Sequence, residues 1–438
     1  MRLHWQILIA LGLAVAAGLA TGPEGAVLGV PLLAVYDFVG TLFLNALKMI
    51  VVPLVFASLV SGVAGLGDGR GLGRLGAKTL LYYLATSLTA ILIGLAAVNL
   101  IEPGLVDGRP AREAMGLEAD AAAVAEKVEG RGAADVVEIF LRMVPVNIVA
   151  AAAEGQMLGL ITFALLFGFF GARIGGRAGE AVLAFFQGVF EIMMRITELV
   201  MRLAPIGVFG LVAKVVATAG LDAFRPLAWF VLTVLLALGL HFLGVLPLLL
   251  RLLARVHPLR HYRAMAPALL TAFSTASSSA TLPLTLECVE RNARVSNRVS
   301  SFVLPLGATV NMDGTALYEC VAAMFIAQAY GIQLGFAEQF AIVLIALLTS
   351  IGVAGIPAAS LVAITVILAA VGLPAEGIGL ILAVDRVLDM CRTAVNVFSD
   401  SCGAVVIARS EGERGLLPDR DASGPSDGEP DHGSGTAR

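Results

Sequence analysis

Apolar runs of about 18 or more residues recur along this chain, and they constrain its fold more than any other feature. A run of this length crosses the ~30 Å hydrocarbon core of a bilayer as an α-helix. Of the 438 residues, 58% are hydrophobic and 14% are charged, whereas a soluble protein has about 25% charged residues. Since lipid offers no partners to backbone polar groups, the sequence predicts an all-α polytopic membrane protein.

Composition also narrows the function. The net charge is −4 and no basic patch stands out, so no nucleic-acid partner is predicted. The cysteines lie in or beside apolar segments without metal-ligand spacing, which predicts small core residues rather than a disulfide framework. They are Cys288, Cys320, Cys391 and Cys402.

The order of apolar and polar segments predicts the organisation of the chain. Residues 1–22 resemble a signal peptide, but the membrane segments that follow favour an uncleaved first helix. A polar, acidic stretch at 102–138 predicts an external loop of low structural content, and residues 413–438 predict a disordered cytoplasmic tail. Further helices are predicted at about 32–66, 77–101, 139–172, 181–218 and 226–254.

The distribution of cationic residues predicts the orientation in the membrane. Arg70, Arg74 and Lys78 share one predicted loop, and Arg251 and Arg255 follow a later helix. Because these loops alternate with cation-poor connections, the positive-inside bias places both termini in the cytoplasm. The expected location is the inner (cell) membrane.

One predicted helix carries an unusual row of polar residues. Asp385, Asp389, Arg392, Asn396 and Asp400 fall within a stripe roughly 80° wide. Each ionised side chain facing lipid costs roughly 2.5–3.5 kcal/mol, so the stripe must face protein, water or ions. Three carboxylates against one guanidinium leave the face short of cations and the Arg available to an anion. The stripe predicts a transport site for a small acidic solute and metal cations.

Two interrupted segments predict re-entrant hairpins. Ser274–Pro283 is rich in serine and flanked by arginine clusters, so it is predicted to enter from the cytoplasm; an ordinary serine-rich loop is the alternative. Ser350–Ser360 follows a cation-poor loop, so it is predicted to enter from outside. Short apolar arms around small residues are typical of a midplane site in inverted-repeat transporters.

A third interruption lies between the hairpins, at Gly307–Thr315. Asn311, Asp313 and Thr315 alternate with period two, and Asn, Asp and Gly favour an unwound stretch. Carbonyl and carboxylate oxygens there suit a hard cation such as Na⁺. The alternative is a helix kink with an incidental buried Asp.

Four motifs in this order resemble the dicarboxylate/amino acid:cation symporters, a family that includes the glutamate transporters. The motifs are SSSATLP, NMDGTALYE, GIP and D-x-x-x-D-x-x-R-T-x-x-N-x-x-x-D. The resemblance extends from the first helix to about residue 410. It implies eight transmembrane helices plus two re-entrant helical hairpins, inverted repeats, a homotrimer in the lipid bilayer and an elevator mechanism.

The resemblance also implies a division into domains. Helices 1–2 (residues 1–76) and helices 4–5 (139–218) correspond to the scaffold. Helix 3 (77–101) corresponds to the transport domain, together with residues 226–412, which hold helix 6, hairpin 1, helix 7, hairpin 2 and helix 8.

The substrate contacts are carried over from the family position by position. Arg392 is expected to bind the side-chain carboxylate, because a guanidinium can pair with it bidentately. Asp389 is expected to bind the amino group, and Asp385 to orient Arg392. The remaining expected contacts are Ser277, Ser278, Ser279, Thr315, Ile356, Pro357, Ala358, Ala359, Ser360, Thr393 and Asn396.

The resemblance implies three groups of sodium ligands and no organic cofactor. These groups are expected to bind the Na⁺ ions that are transported together with the substrate. Glu319 is expected to carry a proton, with a structural hydrogen-bonded Glu as the alternative. The three groups are Gly307, Asn311, Asn396 and Asp400; Tyr83, Thr86, Ser87, Asn311 and Asp313; and Thr309, Met312, Ser350, Ile351 and Val353.

The expected cargo is L-glutamate or L-aspartate, coupled to sodium and protons. A C4-dicarboxylate or a neutral amino acid is the alternative within the family. The chain departs from many members in lacking Arg at both Ala276 and Met390. An ion channel leaves Arg392 unexplained. No enzyme is expected, since an aspartyl protease needs a G-x-G-D-type site and His241 is the sole His well inside a helix to serve a serine protease.

Overall fold

The computed structural model describes residues 3–27, 29–64, 74–111, 141, 143–154, 156–220, 224–350, 359–374 and 377–417. Among the predicted site residues, Ile351, Val353, Ile356, Pro357 and Ala358 lie outside these ranges. Most of the predicted loop 102–138 and all of the chain after residue 417 lie outside them as well.

The first half of the described chain consists of long helices and two short β-hairpins. Each hairpin pairs two-residue antiparallel strands, so the fold is mostly helical rather than strictly all-α. The elements are α1 (Leu3–Thr21), β1 (Ala26–Val27), β2 (Val30–Pro31), α2 (Leu32–Ala64), α3 (Arg74–Ile101), β3 (Leu105–Val106), β4 (Arg109–Pro110), α4 (Ile148–Ala153), α5 (Met157–Ile174), α6 (Gly176–Arg202) and α7 (Ala204–Ala219).

The second half is more often interrupted. Its elements are α8 (Phe224–Leu240), a π-helical turn (His241–Val245), α9 (Leu246–Leu249), a second π-helical turn (Leu250–Ala254), α10 (Pro258–Thr275), α11 (Ser278–Glu287), a third π-helical turn (Cys288–Asn292), α12 (Asn297–Val310), α13 (Asp313–Ala329), α14 (Phe336–Ser350), α15 (Ala359–Val371) and α16 (Ile378–Ser410).

Some helix boundaries differ from the predictions for local reasons. The predicted helix 181–218 is divided at Leu203, where α6 and α7 meet with a bend of 51°. A proline near the start of α7 lacks the amide hydrogen that would continue α6, which explains the bend. By contrast, Pro53 does not divide α2, which is one helix of 33 residues.

Two described helices are long and apolar enough to cross a membrane. They are Arg74–Ile101 and the continuous rod Phe224–Ala254, and the bent pair of α6 and α7 supplies a third span if taken together. The arms α14 and α15 are apolar but short, with 15 and 13 residues. Such arms are shorter than the ~20 residues that a simple crossing needs, as expected for a re-entrant hairpin.

Packing groups most of the helices into two neighbourhoods, which meet where α15 contacts α2 and α16 contacts α7. Helix α2 packs against α5, α6 and α7, and α1 lies along α7. Helix α13 lies between α3 and α16, and α16 also packs on α10 and α12. Close approach of α2 and α7 depends on Gly207, where an added Cβ would lie 2.2 Å from the Phe43 ring. The second neighbourhood holds the polar stripe.

Candidate functional site

Helix α16 brings the polar stripe to the interior of the protein. Asp385, Asp389, Asn396 and Asp400 each expose 7% or less of their surface, and Arg392 exposes none. The facing helix α13 is buried along almost its whole length. The stripe therefore faces protein rather than lipid, as its cost in lipid requires.

The chain between α12 and α13 is unwound at two residues. Asn311 has φ −104° and ψ 93°, and Met312 has φ −120° and ψ 58°, both outside the helical region. This break confirms the predicted unwound stretch and excludes a continuous kinked helix. It places Asn311 and Asp313 at facing helix ends, where their side chains meet α3 and α16.

The serine-rich segment is a helix–turn–helix, not an ordinary loop. Helix α10 ends at Ala276, which has φ +50°, and the chain reverses into α11, which packs back on α10. Ser277 caps α11 by accepting a hydrogen bond from the amide of Ala280 at 3.2 Å. Ser278 is buried, whereas Ser279 is exposed.

Polar atoms from three helices meet around Asn311. Its amide nitrogen donates to Asp400 Oδ1 at 2.9 Å and to Ser399 Oγ at 3.1 Å. Its amide oxygen lies 3.4 Å from the hydroxyls of both Thr86 and Ser87. These buried oxygens are the ligand type that a hard cation prefers.

Asp313 is held by three buried donors. Ser87 donates to Oδ1 at 2.7 Å, while Ser399 donates to Oδ2 at 2.6 Å and His241 Nε2 lies 2.9 Å from the same oxygen. His241 is fully buried at the first π-helical turn of the long rod. Both carboxylate oxygens of Asp313 therefore have fixed positions.

Gly307 gives the carboxylate of Asp400 room beside α12. A Cβ at this position would lie 2.5 Å from Asp400 Oδ1 and 2.6 Å from the Tyr83 hydroxyl. The Tyr83 hydroxyl donates to the carbonyl of Val303 at 2.7 Å. The predicted sodium ligands Gly307, Asn311 and Asp400 are thus brought together, with Tyr83 beside them.

Arg392 bridges two carboxylates on its own helix. Its Nη1 donates to Asp385 Oδ1 at 3.1 Å, and its Nη2 donates to Asp389 Oδ1 at 2.9 Å. The guanidinium lies over the Tyr318 ring, 3.8 Å from the centroid. A buried ion pair needs partners of this kind to offset the loss of hydration of its charges. Asp385 and Asp389 thus both contact Arg392, and the orienting role of Asp385 stays a prediction.

Thr315 and Asn396, both predicted to bind substrate, contact each other across α13 and α16. Asn396 Nδ2 donates to Thr315 Oγ1 at 3.0 Å, and its Oδ1 accepts from the amide of Gly314 at 2.8 Å. A Cβ on Gly314 would lie 2.8 Å from the carbonyl oxygen of Arg392, so this close approach requires glycine. The hydroxyl of Thr393 donates to the carbonyl of Asp389 at 2.8 Å.

Glu319 links α13 to the first arm of the second hairpin. It is fully buried and its Oε2 accepts from Thr349 Oγ1 at 3.0 Å. Its Oε1 has no hydrogen-bond partner among the described residues. A buried carboxylate with one oxygen unsatisfied is the arrangement that a proton can occupy.

Of the third predicted sodium group, Thr309, Met312 and Ser350 lie among the described residues. Met312 and Ser350 are buried, but Thr309 is exposed and its hydroxyl donates to the carbonyl of Leu306 within its own helix. Ser360 is buried at the start of α15, and Ala359 is its first residue.

Comparison with known proteins identifies the class of molecule to which this site belongs. A model of the sodium:dicarboxylate symporter family matches residues 3–410. The chain belongs to this family.

Relatives in this symporter family cover nearly the whole chain. The chain is 37% identical to a proton/sodium-glutamate symport protein of Geobacillus stearothermophilus, over 94% of this chain and 95% of the relative. It is 37% identical to the proton/glutamate-aspartate symporter of Escherichia coli (strain K12), over 93% of each. It is also 39% identical to the human neutral amino acid transporter B(0), over 90% of this chain and 76% of the relative.

Three polar residues at this symporter site were missed in the sequence. Arg386 lies three residues before Asp389, a spacing that places side chains on one helix face, so its contact was detectable. Ser399 has the same spacing from the stripe, because it stands three residues after Asn396. The contact of His241 with Asp313 joins residues 72 positions apart, and no local pattern indicates it.

Proposed function

We propose that this sodium:dicarboxylate symporter imports L-glutamate or L-aspartate, driven by sodium and proton gradients. The observation that carries the proposal is Arg392, a fully buried guanidinium whose partners are two carboxylates of its own helix. An acidic amino acid can replace the ion pair between Arg392 and Asp389, because it carries both a carboxylate and an ammonium group. Its side-chain carboxylate pairs with Arg392, and its ammonium pairs with Asp389.

Sodium coupling follows from the cluster around Asn311. Asp313 and Asp400 place two carboxyl groups within one network of buried oxygens, and the described donors to them are hydroxyl, amide and imidazole groups. Buried carboxylates need cations, and Na⁺ supplies them without leaving a fixed charge in the membrane. Asn396 touches the substrate contact Thr315, which connects the sodium cluster to the substrate.

The proposal also assigns different roles to two domains, a scaffold and a transport domain. Residues 1–76 and 139–218 form a scaffold through which the chain assembles as a homotrimer. Residues 77–101 and 226–412 carry the site and move across the bilayer as an elevator, with hairpins on either side of the cargo. Eight transmembrane helices, two re-entrant hairpins and cytoplasmic termini complete this arrangement. The packing of α3 against α13 within one neighbourhood supports it.

Neutral amino acids are the second candidate cargo, because a human neutral amino acid transporter is 39% identical. Arg392 argues against this candidate, since a neutral side chain would leave the guanidinium without its incoming partner. C4-dicarboxylates lack the ammonium that Asp389 would bind.

Uptake by the full chain in proteoliposomes tests the proposal. Labelled L-aspartate, L-glutamate, L-serine and succinate are offered while inward sodium and proton gradients are imposed separately. We expect accumulation of the two acidic amino acids to require the sodium gradient and to rise with the proton gradient. Failure of both to accumulate under any gradient overturns the proposed function.

A further inference from the structure

The carboxylate of Asp389 is held from both sides by guanidinium groups of its own helix. Arg392 Nη2 donates to Oδ1 at 2.9 Å, and Arg386 Nη1 donates to Oδ2 at 3.3 Å. The two arginines stand three residues before and three residues after Asp389, so all three side chains lie along one face of α16. Asp389 therefore has one partner toward each end of the helix.

The two guanidiniums differ in their surroundings. Arg392 is fully buried, whereas the side chain of Arg386 is 16% exposed. The side chains of Asp385 and Asp389 balance the charges of the two arginines, so this part of the site is neutral before cargo arrives. The Nε of each arginine is buried and has no hydrogen-bond partner among the described residues. Each therefore keeps one N–H donor that no described residue occupies.

Cargo binding requires Asp389 to change partners. A substrate carboxylate that pairs with Arg392 through its unused Nε and the adjacent Nη2 takes the position that Asp389 Oδ1 holds now. Asp389 must then leave Arg392 and turn toward the substrate ammonium. Because Arg386 still donates to Oδ2, the carboxylate of Asp389 keeps one partner during this exchange. Its other oxygen, Oδ1, then keeps a defined orientation when it leaves Arg392. Without Arg386, Asp389 would lose the one described partner that it keeps after leaving Arg392, and its freed oxygen would no longer be aimed at the substrate ammonium.

We propose that Arg386 is a positioning residue that holds Asp389 during this exchange and so determines the preference for cargo with an ammonium group. The inference rests on the proposed function, because it takes Asp389 as the partner of the substrate amine. Arg386 supplies a second cationic group at the site. The sequence has no arginine at the two positions where many family members carry one, which are Ala276 and Met390 here. It acts through Asp389 and does not need to touch the cargo.

Two ligands that differ in the amine test this role. Inhibition constants for unlabelled L-aspartate and for succinate are measured against labelled L-aspartate uptake, in the wild type and in Arg386→Gln. We expect Arg386→Gln to weaken aspartate roughly tenfold, since one charge-assisted hydrogen bond to Asp389 is lost. Succinate should change far less, because it has no ammonium for Asp389 to bind. The aspartate-to-succinate preference therefore falls.

Controls separate this role from a general structural one. Arg291→Gln removes an exposed arginine that pairs with Glu287 four residues away, and both inhibition constants should stay unchanged. Arg386→Lys keeps the charge with a single-point donor and should give a smaller loss of the aspartate-to-succinate preference. If Arg386→Gln does not fold, the preference measured in Arg386→Lys tests the inference. Equal weakening of both ligands, or an unchanged preference in both variants, overturns the inference. Failure of the proposed function is distinct, since the wild type would then take up no aspartate.

Discussion

At the scale of single residues, the site depends on a guanidinium that water does not reach. Arg392 exposes no surface, and its charge is compensated by Asp385, by Asp389 and by the face of the Tyr318 ring. A charge held this completely by protein groups can exchange one partner for a ligand at low cost, because desolvation has already occurred. We expect Arg392 to select cargo by charge through that exchange.

Replacement of Arg392 tests this selection. We expect Arg392→Cys to reduce the affinity for L-aspartate by roughly a hundredfold or more, because truncating a buried charge pair costs about 2–5 kcal/mol. A neutral side chain then fits without an unpaired guanidinium, so uptake of L-serine should appear or rise. Competition with labelled substrate in proteoliposomes measures both. Unchanged aspartate affinity would remove Arg392 from the substrate site.

Glu319 carries the prediction about protons. Its Oε1 lacks a partner among the described residues, and its Oε2 accepts from Thr349 on the neighbouring hairpin arm. We expect Glu319→Gln to flatten the dependence of uptake on external pH while sodium dependence persists, because glutamine has the shape of the protonated acid but cannot release a proton. Uptake between pH 5 and 9 is the measurement. The same pH profile in wild type and Glu319→Gln would return this residue to a structural role.

At the scale of elements, the breaks in the helices matter more than the helices. The sequence predicted two of these breaks, the serine-rich turn between α10 and α11 and the unwound Asn311–Met312. Small and polar residues inside an apolar run are compatible with few structures other than a turn or an unwound stretch. The bend at Leu203 was not predicted, since the apolar pattern continues through it. Arg386 was missed because a stripe drawn by angle ignores how far a long side chain reaches.

Packing between α12 and α16 gives an element-scale prediction. A Cβ at Gly307 would press on Asp400 Oδ1 at 2.5 Å, so Gly307→Ala should displace that carboxylate from Asn311. Overpacking of this kind costs roughly 1–3 kcal/mol, which corresponds to a roughly five- to 150-fold increase in the sodium concentration for half-maximal uptake if the whole cost falls on sodium binding.

Gly239→Ala is the matched control for this substitution. Gly239 also lies inside a helix of the same neighbourhood, but a Cβ there meets nothing within 4 Å. Its sodium dependence should match the wild type. If Gly307→Ala keeps the same sodium dependence as well, the cluster around Asn311 is not a sodium site.

At the scale of the whole molecule, the end of α16 ties distant segments together. Glu411 accepts from Lys78 at 2.8 Å, from Arg298 at 3.0 Å and from Arg74 at 3.1 Å. The chain continues past the predicted domain end at 412, because Leu417 donates its amide to the carbonyl of Ala293 at 3.0 Å. Residues 413–417 of the predicted tail are therefore structured, and the rest of it lies outside the described residues. These contacts join α3, the first hairpin, α12 and α16, the elements proposed to move as one body.

The charge on Glu411 makes this connection dependent on pH. Hydrogen bonds from Lys78 and Arg74 lower the pKa of Glu411 from 4.5 to about 2. A carboxylate whose folded pKa is depressed stabilises the fold above its unfolded pKa, and the contribution is lost as pH falls from about 4.5 toward 2. Glu411→Gln should therefore lower the unfolding temperature at pH 7, and its difference from wild type should shrink across that window. Thermal unfolding of the purified protein at pH 7, 4 and 3 measures the effect.

Glu287→Gln removes an exposed carboxylate with a single partner, Arg291, and serves as the control. An equal deficit for Glu411→Gln at all three pH values would show that packing at this position, rather than its charge, holds the segments together.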